Sequence, residues 1–149
     1  MLVDTELDGA DFVCVIKDAY GAFVYWNKTL HKWFPEPIGG MAGKTEYHIM
    51  DDADAAVVRH NDKQVLRTGQ DLSAIEVIEM PNQKRIPWLV EKFRLRGKNA
   101  NFLGVIGYPI TSSEVGLAIE EAEELLRAVK APYKKRLEEI ARTYESRQK

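Results

Sequence analysis

With 149 residues, 45% of them hydrophobic and 30% charged, the chain has room for one domain with a real core plus an appendage, and its composition excludes disorder. A formal charge of −2 favours no nucleic-acid partner. No apolar run approaches the ~20 residues of a membrane-spanning helix. The single cysteine, Cys14, can form no internal disulfide, and the acidic start MLVDTELDGADF is unlike a signal peptide, so a cytoplasmic protein is expected.

Residues 1–11 are acidic and poorly patterned, a frayed or short helical lead. Phe12 to Lys17 and Ala22 to Trp26 are two β-prone runs joined by Asp18-Ala-Tyr-Gly21, which reads as a hairpin because Asp and Gly suit the ends of a tight turn. Asn27 can cap a short helix carrying Leu30, Trp33 and Phe34, which Pro35 and Pro37 terminate. Residues 35–44 form a loop and Lys44 to Met50 one helical turn. Asp51 or Asp52 then caps a longer helix running to about Arg67, with Gly69 as its stop. Its buried face, Val57 or Val58, Asn61 and Val65, is only thinly apolar. Ser73 to Met80 and Ile86 to Leu95 are strands separated by a turn at Pro81 to Lys84, and Pro87 sits where a missing N–H does least harm.

Phe102 to Ile110 is a further strand that leads almost directly into a helix, with Thr111 and Glu114 spaced as a capping box. With so little slack, a shift of the strand passes to the helix or is absorbed at Gly116. The order of elements implies an α+β domain with a five-stranded antiparallel sheet and helices on one face, followed by a C-terminal amphipathic helix.

Residues 114–149 hold eight Glu and eight Lys or Arg, as suits a solvated helix face. Within them Val115, Ile119, Ala122, Leu126, Val129, Tyr133, Leu137, Ile140 and Tyr144 recur at alternating steps of 3 and 4, with one doubled 4. That seam is a coiled-coil signature, and it implies a homodimer through the helix. Pro132 falls inside the doubled step and is expected to kink the helix or split it in two. A straight helix here would reach roughly 50 Å. The boundaries are thus 1–11 for the lead, 12–111 for the domain and 112–149 for the signalling helix.

Five pieces in order resemble a PAS domain: DFVCVIKDAYGAFVYWN at 11–27, Gly43-Lys44-Thr45, the segment from Asn61 to Gly69, WLVEKFRL at 88–95 and NFLGVIGYPIT at 101–111. The resemblance implies a sensory or interaction module with a five-stranded antiparallel sheet, helices on one face and a small cavity between them. It also implies signal output through a C-terminal helix. One departure is that Pro109-Ile110-Thr111 stands where the family often has Asp-Ile-Thr, which removes an acidic tether for the exit helix.

Cofactors known in the family are not supported here. Flavin photochemistry needs a cysteine in the short helix, and GKTEYHIM has none. Haem needs a histidine on the long helix. His60 falls about two residues too late for that role, and Val58 occupies the ligand position. His31, His48 and His60 show no metal-ligand spacing, and no catalytic triad or phosphate loop is present.

Aromatics with a polar edge can line a cavity and hydrogen-bond a small molecule, which makes Trp26, Trp33, Tyr47, Trp88 and Tyr108 the candidate ligand-binding residues, with plain core packing as the alternative for each. Trp88 and Lys92 share one strand face, and Leu89, Glu91 and Phe93 the other. The leading expectation is a cytoplasmic sensory module that binds a small molecule or dimerises and relays a change to a partner protein in trans, with no enzymatic activity. One alternative is a ligand-free interaction module. Another is a small cone-shaped isomerase, which would need a buried carboxylate facing a tyrosine, the strand carboxylates being Glu76, Glu79 and Glu91.

Overall fold

The computed structural model describes residues 2–148. Five antiparallel strands, β1 (Val13–Lys17), β2 (Phe23–Trp26), β3 (Leu72–Glu79), β4 (Arg85–Arg96) and β5 (Asn101–Pro109), form one sheet in the order β2-β1-β5-β4-β3. Before β1 lies a short helix, α1 (Thr5–Asp8); between β2 and β3 lie α2 (Leu30–Trp33), a 3-10 turn (Glu46–His48) and α3 (Asp52–Thr68). A long helix, α4 (Val115–Arg147), follows β5.

Local signals placed most of these elements. In the β1–β2 turn, Asp18 Oδ1 accepts from the N–H groups of Tyr20 and Ala22, and Gly21 adopts φ +88°. At the start of α3, Asp51 accepts from Ala53 N; at its end, Gly69 sits at φ +73° and donates to Val65 O at 2.8 Å. The loop at Gly43 and Lys44 exchanges hydrogen bonds with Phe23 and so covers part of the free edge of β2.

Strand alternation sorts the sheet into two cores. The inner face, under α2 and α3, carries Val13, Val15, Trp88, Val90, Leu103 and Val105. The outer face carries Cys14, Ile16, Leu89, Phe93, Leu95, Phe102 and Ile106. Trp88 and Lys92 therefore face inward, and Leu89 and Phe93 outward.

Two expectations need correction, and of the two outcomes left open at Pro132 the split is excluded. Asn27 does not cap α2. Its fully buried side chain accepts from Cys14 N and donates to the carbonyls of Leu7 and Phe12, which ties the N-terminal lead to β1. The capping box at Thr111 and Glu114 does not form, because α4 starts three residues later than a Thr111 cap requires; Glu114 is its N-cap residue and Ser112 Oγ accepts from Glu114 N. Pro132 does not split α4, which continues as one helix to Arg147.

The largest difference concerns what the α4 seam meets. Ala122, Leu126, Leu137 and Ala141 are buried against the outer face of the chain's own sheet, with Ile119, Val129, Tyr133, Ile140 and Tyr144 packed beside them. A repeating apolar stripe specifies that one face is covered without specifying by what. Here the apolar outer face of β1, β4 and β5 is the cover.

Polar contacts fix the helix in place. Lys130 pairs with Asp71 at 2.8 Å and Glu91 at 3.2 Å, and Arg136 pairs with Asp4. Near the far end, Glu145 accepts from the backbone N–H groups of Lys98, Asn99 and Ala100 in the β4–β5 turn. Desolvation pushes the Glu145 carboxyl up, and the three donors together outweigh it and hold it below its ordinary value.

Candidate ligand cavity

Between the inner sheet face and the helices lies a cavity of about 70 Å³. Its walls are mostly apolar, with Val15, Phe23, Leu30, Val58, Trp88 and Val105 among them, and Lys17, Glu46 and Glu76 supply the polar part.

Those three belong to a buried charge network. β1 ends on Lys17, whose Nζ lies 2.7 Å from Asp62 Oδ2 and 2.8 Å from Glu46 Oε2. From β4, Lys92 Nζ lies 2.7 Å from Asp62 Oδ1 and also pairs with Glu76 on β3. Arg59, one helical turn before Asp62 on α3, stands 3.5 Å from it. Asn61 Nδ2 donates to Glu76 at 3.0 Å. Asp62 is wholly buried, and Lys17, Glu46, Glu76 and Lys92 are each at most 4% exposed.

Three cations thus meet three anions where water is excluded. Burial alone pushes the Lys17 ammonium down, but Asp62 and Glu46 outweigh it and hold it above its ordinary value. Burial pushes the Asp62 carboxyl up, and Lys17 with Lys92 outweighs that, holding it low.

Two residues of the cavity lining have hydrogen-bonding capacity left over. The Trp88 indole N–H makes no hydrogen bond, although the residue is only 3% exposed. Glu46 Oε2 lies 2.8 Å from Lys17 Nζ, and Glu46 Oε1 accepts from no side chain or backbone group. Leaving a neutral donor such as the indole N–H dry and unpaired costs about 1–3 kcal/mol.

Of the five aromatic candidates, Trp88 lines the cavity. Trp33 buttresses it, with ring centroids 5.6 Å apart in an edge-on arrangement. Trp26 is buried in the inner core and stacks edge-on with His31. Tyr47 is 48% exposed on the 3-10 turn. Tyr108 faces the opposite side of the sheet, where it packs on Phe12.

His60 is exposed, whereas Val58 reaches the cavity. Cys14 is fully buried in the outer core, and its thiol is pushed up to about 12 by burial and by Asp4. The cavity wall includes two carboxylates, Glu46 and Glu76, and no tyrosine among the described residues.

Sequence reasoning missed the charge network, although a signal was there. Lys17 is in phase with Val13 and Val15, Lys92 with Trp88 and Val90, and Glu76 with Ile78, so each is an ionic group at an inward position. The thin apolar face of α3 was the same signal, because Asp54, Arg59 and Asp62 occupy much of that face.

A single antiparallel sheet covered by short helices on one face, with a cavity between the two, defines the class of the domain. The model of the PAS fold family matches residues 7–115, and the chain belongs to that family. No curated protein matches the sequence. Among solved structures, a Vibrio cholerae VqmA–ligand–DNA complex is similar at TM-score 0.65 and 17% identity, covering 87% of this chain and 60% of that one. A VqmA dimer without its target DNA is similar at TM-score 0.59 and 19% identity, covering 74% and 52%. The PAS domain of the Cronobacter turicensis quorum-sensing receptor RpfR in complex with BDSF is similar at TM-score 0.55 and 21% identity, covering 68% and 96%. The chain therefore spans little more than half of the VqmA chains, and at these identities the likeness is one of fold.

No helix of the described residues is long and apolar enough to cross a membrane. They contain no cluster of three metal-ligating side chains either.

Proposed function

We propose that this chain is a non-enzymatic sensory module that holds a small molecule in the inner cavity and passes the resulting change through the sheet to α4. The observation that carries this reading is a pair of buried polar atoms without a hydrogen bond, Trp88 Nε1–H and Glu46 Oε1, in residues that line one cavity. Folding tolerates such groups where a ligand later satisfies them. Support also comes from similar proteins, since VqmA and RpfR have been solved with ligands bound.

The relay needs no hinge. β4 presents Trp88 to the cavity, Lys92 to the charge network beside it, and Leu89, Glu91 and Phe93 to the other side. Glu91 is bound by Lys130, and Leu89 and Phe93 lie in one core with Leu126. A ligand that moves β4 therefore moves the bed on which α4 lies.

A homodimer is part of the proposal, as VqmA is a dimer. Since the seam is occupied, a second copy would meet the outward residues Val115, Leu117 and Leu125, which are 42–52% exposed. The formal charge of −2 and the single buried cysteine support a protein partner in the cytoplasm over nucleic acid.

Native against denaturing mass spectrometry of the purified protein tests the reading. The expected result is a small non-covalent mass that is lost on denaturation and absent from Val105→Phe, which fills the cavity. Bare protein in the native spectrum of the wild type would count against a retained ligand, and an identical adduct on Val105→Phe would place it outside the cavity.

A further inference from the structure

Resting on the cavity reading above, the chemistry of the wall also restricts what can enter. We propose that the cavity takes a compact, uncharged molecule with a hydrogen-bond donor for Glu46, an acceptor for the Trp88 indole N–H, and an otherwise apolar body.

The argument begins with charge. Lys17, Lys92 and Arg59 are matched one for one by Glu46, Asp62 and Glu76. An entering carboxylate or ammonium would leave one buried charge without a counter-ion, in a place where water cannot compensate. A neutral molecule leaves the balance intact.

The second step is polarity. Glu46 can only accept, and the Trp88 indole N–H can only donate. Glu46 Oε1 and the Trp88 Nε1–H are both nearly fully buried and make no hydrogen bond, while Glu46 Oε2 stays with Lys17. A molecule carrying both kinds of group satisfies both, and an alkane satisfies neither. The remaining wall, Val13, Val15, Phe23, Ile78, Val90 and Val105, asks for hydrocarbon.

The third step is size. The free space is small, about 70 Å³, so a compact molecule suits it better than a long one. Primary amides and small hydroxyl-bearing carbonyl compounds fit all three criteria.

Three probes on one skeleton separate these requirements: propionamide, propionate and propylammonium, titrated at pH 7 into labelled full-length protein. The readout is the indole N–H resonance of Trp88, identified by its loss in Trp88→Phe. Propionamide is expected to shift that resonance saturably, and the two ions to leave it in place at the same concentrations. Glu46→Gln removes one anion and leaves the network one charge positive, so the order should reverse, with propionate gaining on propionamide by about tenfold or more.

Propionate or propylammonium binding the wild type as well as propionamide would overturn the neutrality rule while leaving a ligand cavity in place. Silence from all three probes on the Trp88 resonance and on the cavity-wall amides would mean a water-filled void, and would overturn the underlying reading as well. The wild-type comparison alone decides between these results, even if Glu46→Gln fails to fold.

Discussion

The two faces of the sheet solve different problems. The outer face is mostly apolar, with Glu91 and the Tyr25 hydroxyl as polar exceptions, and the apolar stripe of α4 covers it from Ala122 to Ala141. The inner face holds six buried charged side chains, a void and, at Trp88 and Glu46, two polar atoms without a hydrogen bond. A buried ion network adds less stability than hydrocarbon of the same volume would, and it is costly to break. The outer face thus holds the domain together, and the inner face gives up hydrocarbon packing for charge. On the proposed function, the ligand-facing surface and the stabilising surface lie back to back on the same strands.

The largest test of that division removes α4. A chain ended after Thr111 leaves Leu89, Phe93, Leu95, Phe102 and Ile106 bare. At about 1.5–3 kcal/mol for each large side chain, this is comparable to the entire 5–15 kcal/mol margin of a typical domain. The truncated domain is expected to be unfolded or aggregated by circular dichroism and light scattering. A soluble, cooperatively melting 1–111 fragment would show that α4 is the free coiled-coil arm its seam suggests.

On the inner face, Asp62→Ala leaves Lys17 and Lys92 facing each other without their shared carboxylate. The expected loss is about 3–5 kcal/mol, read from urea denaturation. The pH dependence carries a sign. Asp62 is held below its ordinary 3.8, so its contribution is complete above that value and is lost as pH falls through the lower folded value. Lys17 is held above its ordinary 10.5, so its contribution is complete below that value and is lost as pH rises through the higher folded one. Wild-type stability from this network should therefore be flat across neutral pH and fall below about pH 4. In Asp62→Ala the acid limb should shrink, and an unchanged limb would assign acid sensitivity to other carboxylates.

How far the sequence reveals these two faces depends on the range of each signal. The β1–β2 turn and both ends of α3 are legible because Asp18, Asp51 and Gly69 bond within a few residues of themselves. The extent of α4 is legible from its period, but its cover is not, because Leu126 and Leu137 would look the same packed on a sheet or on a second helix. Asn27 misleads for the opposite reason: its position favours a local cap, and the bonds it makes are to Leu7, Phe12 and Cys14. At the cavity, Trp88 is legible as an aromatic with a polar edge that shares a strand face with Lys92, but which face turns inward is not, and Glu46 is not legible at all, since nothing in Lys44 to Met50 marks which side chain turns inward.

The smallest expected effect tests how sheet movement reaches the outer layer. Gly116 lies in the first turn of α4, and a Cβ added there meets nothing within 4 Å. Gly116→Ala should therefore stabilise the protein by about 0.5–1 kcal/mol by restricting the unfolded chain, a rise of roughly 1–4 °C in Tm. If the helix follows the sheet through its packed bed, from Leu126 to Ala141, stiffening its first turn leaves the ligand-induced change in Trp88 intact and leaves the exchange protection of α4 amides equally responsive. If the change instead enters α4 through the Ile110–Glu114 link, Gly116→Ala should alter that response while leaving cavity binding unchanged. Amide exchange along α4, with and without propionamide, separates the two. The packing favours the first outcome, because the buried seam begins two turns beyond Gly116 and the far end is fixed independently by Glu145.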